Sequence, residues 1–306
     1  VLILNGPMQQ IMCDLLRAVR PGEIFWNRRY GLRERNIDAQ VKIFCKTEGI
    51  AATSFAASLL QEPWTIQTRA GGRFQVYTAW WRAACAMGDP GRPLSVPQQI
   101  CFAPLPEAMV GGTTVEALAL LPSKPDWADG IRAAWQPGED KAQDCLSAFI
   151  KDGLENYAIL RDRPYGATTS RLSPYLRFGH ISPRQIWHAA HNALRSAKHE
   201  IALADLDKFL SELGWRDFAY SLLFDRPELA HANFRPEFDA MRWRDEPELF
   251  AAWAQGRTGY PLVDAGMRQL WRTGLMLNPV TLVPAALPHE PLLIVLRTGP
   301  PLFRES

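Results

Sequence analysis

The sequence predicts an incomplete α/β N-terminal domain with a parallel sheet, followed by an all-helical domain. Three observations carry this. Extended apolar runs alternate with helical periodicity near the start, a Pro-rich stretch follows, and helical periodicity then resumes with no alternating strand after it. The boundaries fall at residues 1–103 for the α/β part, 104–141 for a linker and 142–306 for the helical part.

The first run, VLILNG, reads as an interior strand closed by a Gly-Pro turn. Met8, Ile11, Met12, Leu15, Leu16 and Val19 then recur at helical spacing, and Pro21-Gly22 stops the helix. EIFWNRR supplies a second strand. Val41, Phe44 and Cys45 share a helix face leading to Gly49, and AATSF supplies a third strand. This βαβαβ order is that of a parallel sheet covered by helices. From Gly88-Asp89-Pro90-Gly91 the chain turns to loop chemistry through Pro104, Pro106, Pro122 and Pro125, a linker wrapped on the surface. Helical spacing returns at Ala142, Cys145, Leu146, Phe149, Ile150, Leu154 and Tyr157. Ser182-Pro183 opens one later helix, and Gly259-Tyr260-Pro261 opens another that ends at Gly274.

Composition narrows the class without choosing a function. With 34 Lys+Arg against 32 Asp+Glu the net charge is +2, which neither demands nor excludes a nucleic-acid partner. The five cysteines show no CxxC pair and fit free thiols in a reducing cytoplasm. No apolar run approaches the ~18 residues of a membrane span, so a soluble protein is expected. His188 and His191 lie one helical turn apart, but no carboxylate or cysteine joins them at ligand spacing, so no metal is assigned.

The helix over roughly Leu206 to Phe224 is the most informative stretch. At ~100° per residue, Leu206, Leu210 and Leu213 form a core stripe. Phe209, Glu212, Trp215, Arg216 and Ala219 fall on another side, where a carboxylate and a guanidinium flank an indole. Upstream, the hydroxyls of TTSRLSP precede helical sequence, an arrangement that suits an ordinary helix cap or a diphosphate.

The segments ATTSRLSPYLRFGHISPRQIW, FLSELGWRDFAY and AWAQGRTGYPLVDAGMRQLWRTG resemble, in order, signature blocks of the photolyase/cryptochrome family. FWNRRYGLRERNIDAQV resembles that family's antenna domain and LPSKPDWA its linker, so the resemblance covers nearly the whole chain. It is nearest to a class I cyclobutane pyrimidine dimer photolyase, and the sequence is expected to lack both ends of the usual fold. The resemblance implies FAD as cofactor and DNA bearing pyrimidine dimers as partner. It also implies an antenna chromophore, a folate or a deazaflavin, and a monomer in the cytoplasm. In the family, blue light excites reduced FAD, which lends an electron to the dimer; the dimer splits and the electron returns.

Residue by residue, the resemblance places Tyr157, Thr169, Ser170, Leu172, Ser173 and Phe209 against the FAD, and Asn278 beside its reactive nitrogen. Trp215 matches the residue that stacks on the flipped lesion, and Glu212 the carboxyl that hydrogen-bonds it from a dry pocket, where it must be protonated or well paired. Arg161 and Arg216 match DNA-facing positions, and Trp243 the surface end of a three-Trp electron chain. Met276 and Asn278, in place of the paired histidines of another branch, imply cyclobutane dimers as substrate. Glu34 matches a folate-contacting position, with Arg33 replacing the usual neighbour.

The family pattern weakens beyond Gly274. Leu275, Leu296 and Leu302 stand where the family has Trp, Leu277 for His, and Pro279 and Thr281 for Arg, while the register is intact. Four prolines, Pro279, Pro284, Pro288 and Pro291, predict that no regular helix forms there. The alternatives to repair are a cryptochrome-type photoreceptor and a remnant that no longer binds flavin.

Overall fold

The computed structural model describes residues 1–104, 112–163, 168–196, 201–240, 246–277 and 280–281. The chain forms two units. One comprises residues 1–122, 176–192 and 210–231; the other comprises 123–175, 193–209 and 232–306. No helix among the described residues is long and apolar enough to cross a membrane.

In the first unit, α1 (Met8–Val19), β1 (Glu23–Asn27), α2 (Leu32–Thr47) and β2 (Ala51–Phe55) follow the expected order. The two strands pair in parallel, Glu23 opposite Ala51 through Asn27 opposite Phe55. Leu16, Val41 and Cys45 are buried between α1, α2 and the sheet, with Met12, Ile24, Ile37 and Ala52 packed against them. The expected strand at residues 1–6 is not formed among the described residues. With no strand beside it, Ile3 uses its carbonyl to accept a hydrogen bond from the Thr113 N–H, 2.9 Å away. All five cysteines are free thiols.

A helix that the periodicity left unread, α3 (Tyr77–Ala86), buries Trp80 and Ala84, one turn apart. It packs with Ile66 and Phe218 into a second core cluster, flanked by Tyr77 and Trp81. α8 (Pro183–Arg195) opens as the Ser182-Pro183 pair predicts. The Ser182 hydroxyl accepts from the Gln185 N–H, and the Gln185 side chain accepts from the Ser182 N–H, a reciprocal capping box.

In the second unit, α5 (Glu139–Asp152) stops at Gly153, so the periodic run up to Tyr157 is not one helix. Asn156 then turns left-handed, at φ 59°, and opens the short α6 (Tyr157–Leu160). α11 (Pro261–Thr273) starts behind Tyr260 and ends at Gly274, whose left-handed φ of 65° suits a residue without a Cβ. α4 (Asp129–Ala134) lies against α11 through Gly130, where any Cβ would overlap the Arg272 carbonyl oxygen. α10 (Pro247–Ala254) adds Trp253, buried with Val263 and Met267.

α9 (Leu203–Asp225) spans 23 residues. In the first unit its Asp217, fully buried, accepts hydrogen bonds from the backbone N–H groups of Leu60 and Gln61 at 2.7 and 3.0 Å. This fastens the loop after β2 to the helix. Burial pushes the Asp217 carboxyl up to about 7, against the lowering pull of those N–H groups and of Arg216.

The folded-state value is raised above that of an exposed Asp, so the folded chain binds the extra proton between about pH 4 and pH 7. The stability this group contributes is present in full below about pH 4. It is lost as pH rises to about 7 and is constant above. In Asp217→Asn that slope is expected to vanish, which melting temperatures of both proteins across pH 4–8 will show as a difference that flattens above about pH 7.

Candidate functional site

The lesion-facing residues expected on α9 sit in the first unit. Trp215 is 47% exposed, the only large aromatic among the described residues of this helix to reach solvent so far. Glu212 is half-buried, one turn earlier. Their shared face follows from the three-residue spacing of a regular helix. Leu206, Leu210 and Leu213 are all buried, as the apolar stripe predicts.

Tyr77 of α3 lies parallel to Trp215, with ring centroids 3.6 Å apart and planes 14° apart. Its hydroxyl donates to the Ser211 carbonyl at 2.6 Å. Burial raises the Tyr77 hydroxyl pKa, and the negative charge of Glu212 pushes the same way. The Arg216 guanidinium does not reach outward freely. It donates to the Ser58 carbonyl, lies 3.7 Å from the Asp217 carboxylate and covers the Tyr220 ring at 5.1 Å. Neither Tyr77 nor Asp217 was named from the sequence. Asp217 could have been noticed as a carboxylate three positions past Gly214 on a side of the helix otherwise apolar.

The described residues expected to face the flavin sit in the second unit. Asp205, buried at the start of α9, accepts from the backbone N–H groups of Asn156 and Ala158 at 3.0 and 2.9 Å. It thereby caps α6 and fixes Tyr157 at its first position. Tyr157 and Phe209 are both buried, and with Phe149 they form a triangle of rings with centroids 4.6 to 5.6 Å apart. Edge-on and tilted contacts of this kind make a dry, rigid wall. Thr169 and Ser170 are half-buried, and α7 (Ser173–Arg177) begins at the exposed Ser173. Leu172 is buried beneath them, and the Cys145 thiol donates to the Ser170 carbonyl at 3.2 Å. Hydroxyls at a helix start with an anchored backbone are suitable donors for a diphosphate.

Arg161 is also buried, at 6% exposure, paired with Asp162 and stacked over Tyr157 at 5.5 Å. A guanidinium so enclosed braces α6. Trp243 and Asn278 lie outside the described residues, as do residues 282–306. Of the altered terminal stretch, the Thr281 N–H donates to the Leu277 carbonyl at 2.8 Å; Pro279, Pro284, Pro288 and Pro291, on which the expected loss of a regular helix rests, lie outside the described residues. In the first unit, His188 contacts the Pro90 carbonyl and His191 the Trp187 carbonyl. The described residues contain no group of three side chains set to hold a metal. At the start of α2 the Glu34 carboxylate folds back over Gly31, which has no Cβ to block it.

Residues 1–99 match the family model described as DNA photolyase, and residues 209–306 match the FAD binding domain of DNA photolyase. The chain belongs to the photolyase/cryptochrome family. A deoxyribodipyrimidine photo-lyase of Agrobacterium fabrum is 39% identical over 306 residues, all of this chain and 62% of the relative. Cryptochrome-1 of Arabidopsis thaliana is 32% identical over 283 residues, 89% of this chain and 40% of the relative. Among solved structures, a bacterial class III photolyase from Agrobacterium tumefaciens is 40% identical with a TM-score of 0.91, over 98% of this chain and 61% of that one. The blocks quoted above point to class I and did not separate it from class III. The chain spans about three fifths of the length of the curated photolyases that it matches over all its residues. The FAD-domain match continues to residue 306 and so includes the substitutions after Gly274.

Asp205→Ala should free the start of α6. Amide exchange at Asn156 and Ala158 is expected to quicken by about tenfold or more, while the amides of α11 keep their protection. Hydrogen exchange read by mass spectrometry or NMR checks this.

Proposed function

We propose that this chain is part of a flavin-dependent photolyase that splits cyclobutane pyrimidine dimers in DNA. The observation that carries the reading is the pairing, on one face of α9, of a half-buried carboxyl group at Glu212 with an exposed, stacked indole at Trp215. A repair enzyme must take the damaged bases out of the duplex, stack them and hydrogen-bond them, and these two side chains have that chemistry.

The second unit fits FAD by the chemistry of its donors. Thr169, Ser170 and Ser173 would hold the diphosphate, with Leu172 beneath them, while Tyr157 and Phe209 would line the flavin side with a wall that excludes water. Asn278 would take the position beside the reactive ring nitrogen. When bound and reduced, FAD supplies a light-driven electron to the dimer and takes it back after cleavage. Trp215 would offset the cost of unstacking by covering the flipped base with its open face. Glu212 would hydrogen-bond the dimer through its carboxyl group, favouring the extra charge there. Arg161 and Arg216, engaged as described, would act on DNA mainly by holding Tyr157 and α9 in place.

Dimer-bearing single-stranded DNA incubated with the protein under blue light is expected to lose its dimers, and the same mixture in the dark to keep them. Glu212→Ala should slow light-dependent repair by about a hundredfold to a thousandfold, the scale of removing one transition-state hydrogen bond. Bound flavin without light-dependent repair would favour the photoreceptor reading, which the Arabidopsis cryptochrome-1 match keeps in play. No bound flavin would favour a remnant.

A further inference from the structure

We infer that Tyr77 is a positioning residue for Trp215: it seals one face of the indole, so that a flipped base can stack only on the opposite face, held in a fixed plane. The inference rests on the reading of Trp215 as the residue that stacks on the lesion.

The ring pair is closer and more parallel than aromatic side chains choose when left alone. They favour offset or edge-on contacts with centroids ~4.5–7 Å apart, whereas Tyr77 and Trp215 are 3.6 Å apart at 14°. The surroundings therefore impose the contact, and three features do so. The Tyr77 hydroxyl donates to the Ser211 carbonyl, one helical turn before Trp215, at 2.6 Å. That bond needs the phenol to keep its proton, and burial with the nearby Glu212 charge ensures it. Tyr77 also lies near-parallel to Trp81, with centroids 6.2 Å apart at 13°, and Phe218 meets both Tyr77 and Trp215 edge-on at 5.8 and 6.0 Å.

The third feature is Gly214. A Cβ there would overlap the Trp81 ring and lie 3.0 Å from the Tyr77 hydroxyl oxygen. Glycine in the middle of a helix is unfavourable by itself. Here its missing side chain is what lets α3 close on α9, and so brings Tyr77 onto Trp215.

The consequence is a preorganised platform. Trp215 cannot rotate toward α3, because Tyr77 fills that side. Its exposed 47% therefore lies on the other face and the ring edges. A ligand that stacks there does not have to immobilise the indole first, which is the usual entropic cost of binding to a surface side chain.

The test is a binding measurement on the whole chain with single-stranded oligothymidylate, with and without one cyclobutane dimer, and a melting curve for each variant. Trp215→Ala is expected to weaken dimer binding by about tenfold or more, as loss of a base-stacking ring does. Tyr77→Leu should weaken it by about three- to tenfold and leave undamaged DNA unchanged, while Tyr77→Phe, which keeps the ring, should stay within about twofold of wild type. Gly214→Ala, which favours the helix but pushes Trp81 and Tyr77 away, should reproduce the Tyr77→Leu loss even if Tyr77→Leu folds poorly. If Trp215→Ala weakens binding but Tyr77→Leu and Gly214→Ala do not, the platform is refuted and the lesion-stacking reading stands. If Trp215→Ala itself changes nothing, the lesion-stacking reading falls, and the inference with it.

Discussion

The buried carboxyl group of Asp217 gathers the N–H groups of Leu60 and Gln61, and the first unit is organised around that contact. Without it, the loop after β2 would leave the buried Leu60 donor unpaired, at about 1–3 kcal/mol, and the half-buried Gln61 donor without this partner. Arg216 takes the Ser58 carbonyl of the same loop. Further along, Arg35 donates to the Phe224 carbonyl, and Arg73 pairs with Asp225. The second half of α9 is thus tied to the α/β part at three levels of its length, and Trp215 and Glu212 inherit their fixed positions from these ties.

A comparable device operates in the second unit. Asp205 caps α6 with its carboxylate as Asp217 grips its loop, and each sets an aromatic or polar side chain at a defined place. Asp264 repeats the pattern before α11: its carboxylate accepts from the Thr258 hydroxyl and N–H and from the Gly259 N–H, and the Thr258 hydroxyl contact leads in holding its pKa below the usual carboxylate range. These three carboxylates act on backbone donors, which makes them structural. Glu212 differs by sitting beside an exposed ring.

Much of the architecture was legible in the sequence because it follows from local rules. Helical spacing located α1, the Ser182-Pro183 pair located α8, and Tyr260-Pro261 with Gly274 bounded α11. The apolar stripe of α9 came out of the 3.6-residue period, whereas Phe209, which that period sets on the same side as Trp215, is buried. What was not legible depends on contacts between distant residues. VLILNG has the composition of a strand, but a strand needs a hydrogen-bonded neighbour, and Ile3 instead meets Thr113. The periodic run to Tyr157 breaks at Gly153, and the separate turn that carries Tyr157 is held by Asp205, some fifty residues on. Likewise Arg161 and Arg216 have the residue type expected of DNA contacts, yet their engagement with Asp162, Ser58 and Asp217 appears only once the chain is folded. Tyr77 escaped notice for the same reason, since nothing in its own neighbourhood of sequence announces Trp215.

The central claim is that this chain holds FAD through residues of its second unit. The visible absorption spectrum of the purified protein, followed by release and quantification of any chromophore, tests it most directly. The account predicts flavin bands and FAD released close to one per chain. A colourless protein that stays colourless after incubation with FAD, while its melting curve shows it folded, would contradict it.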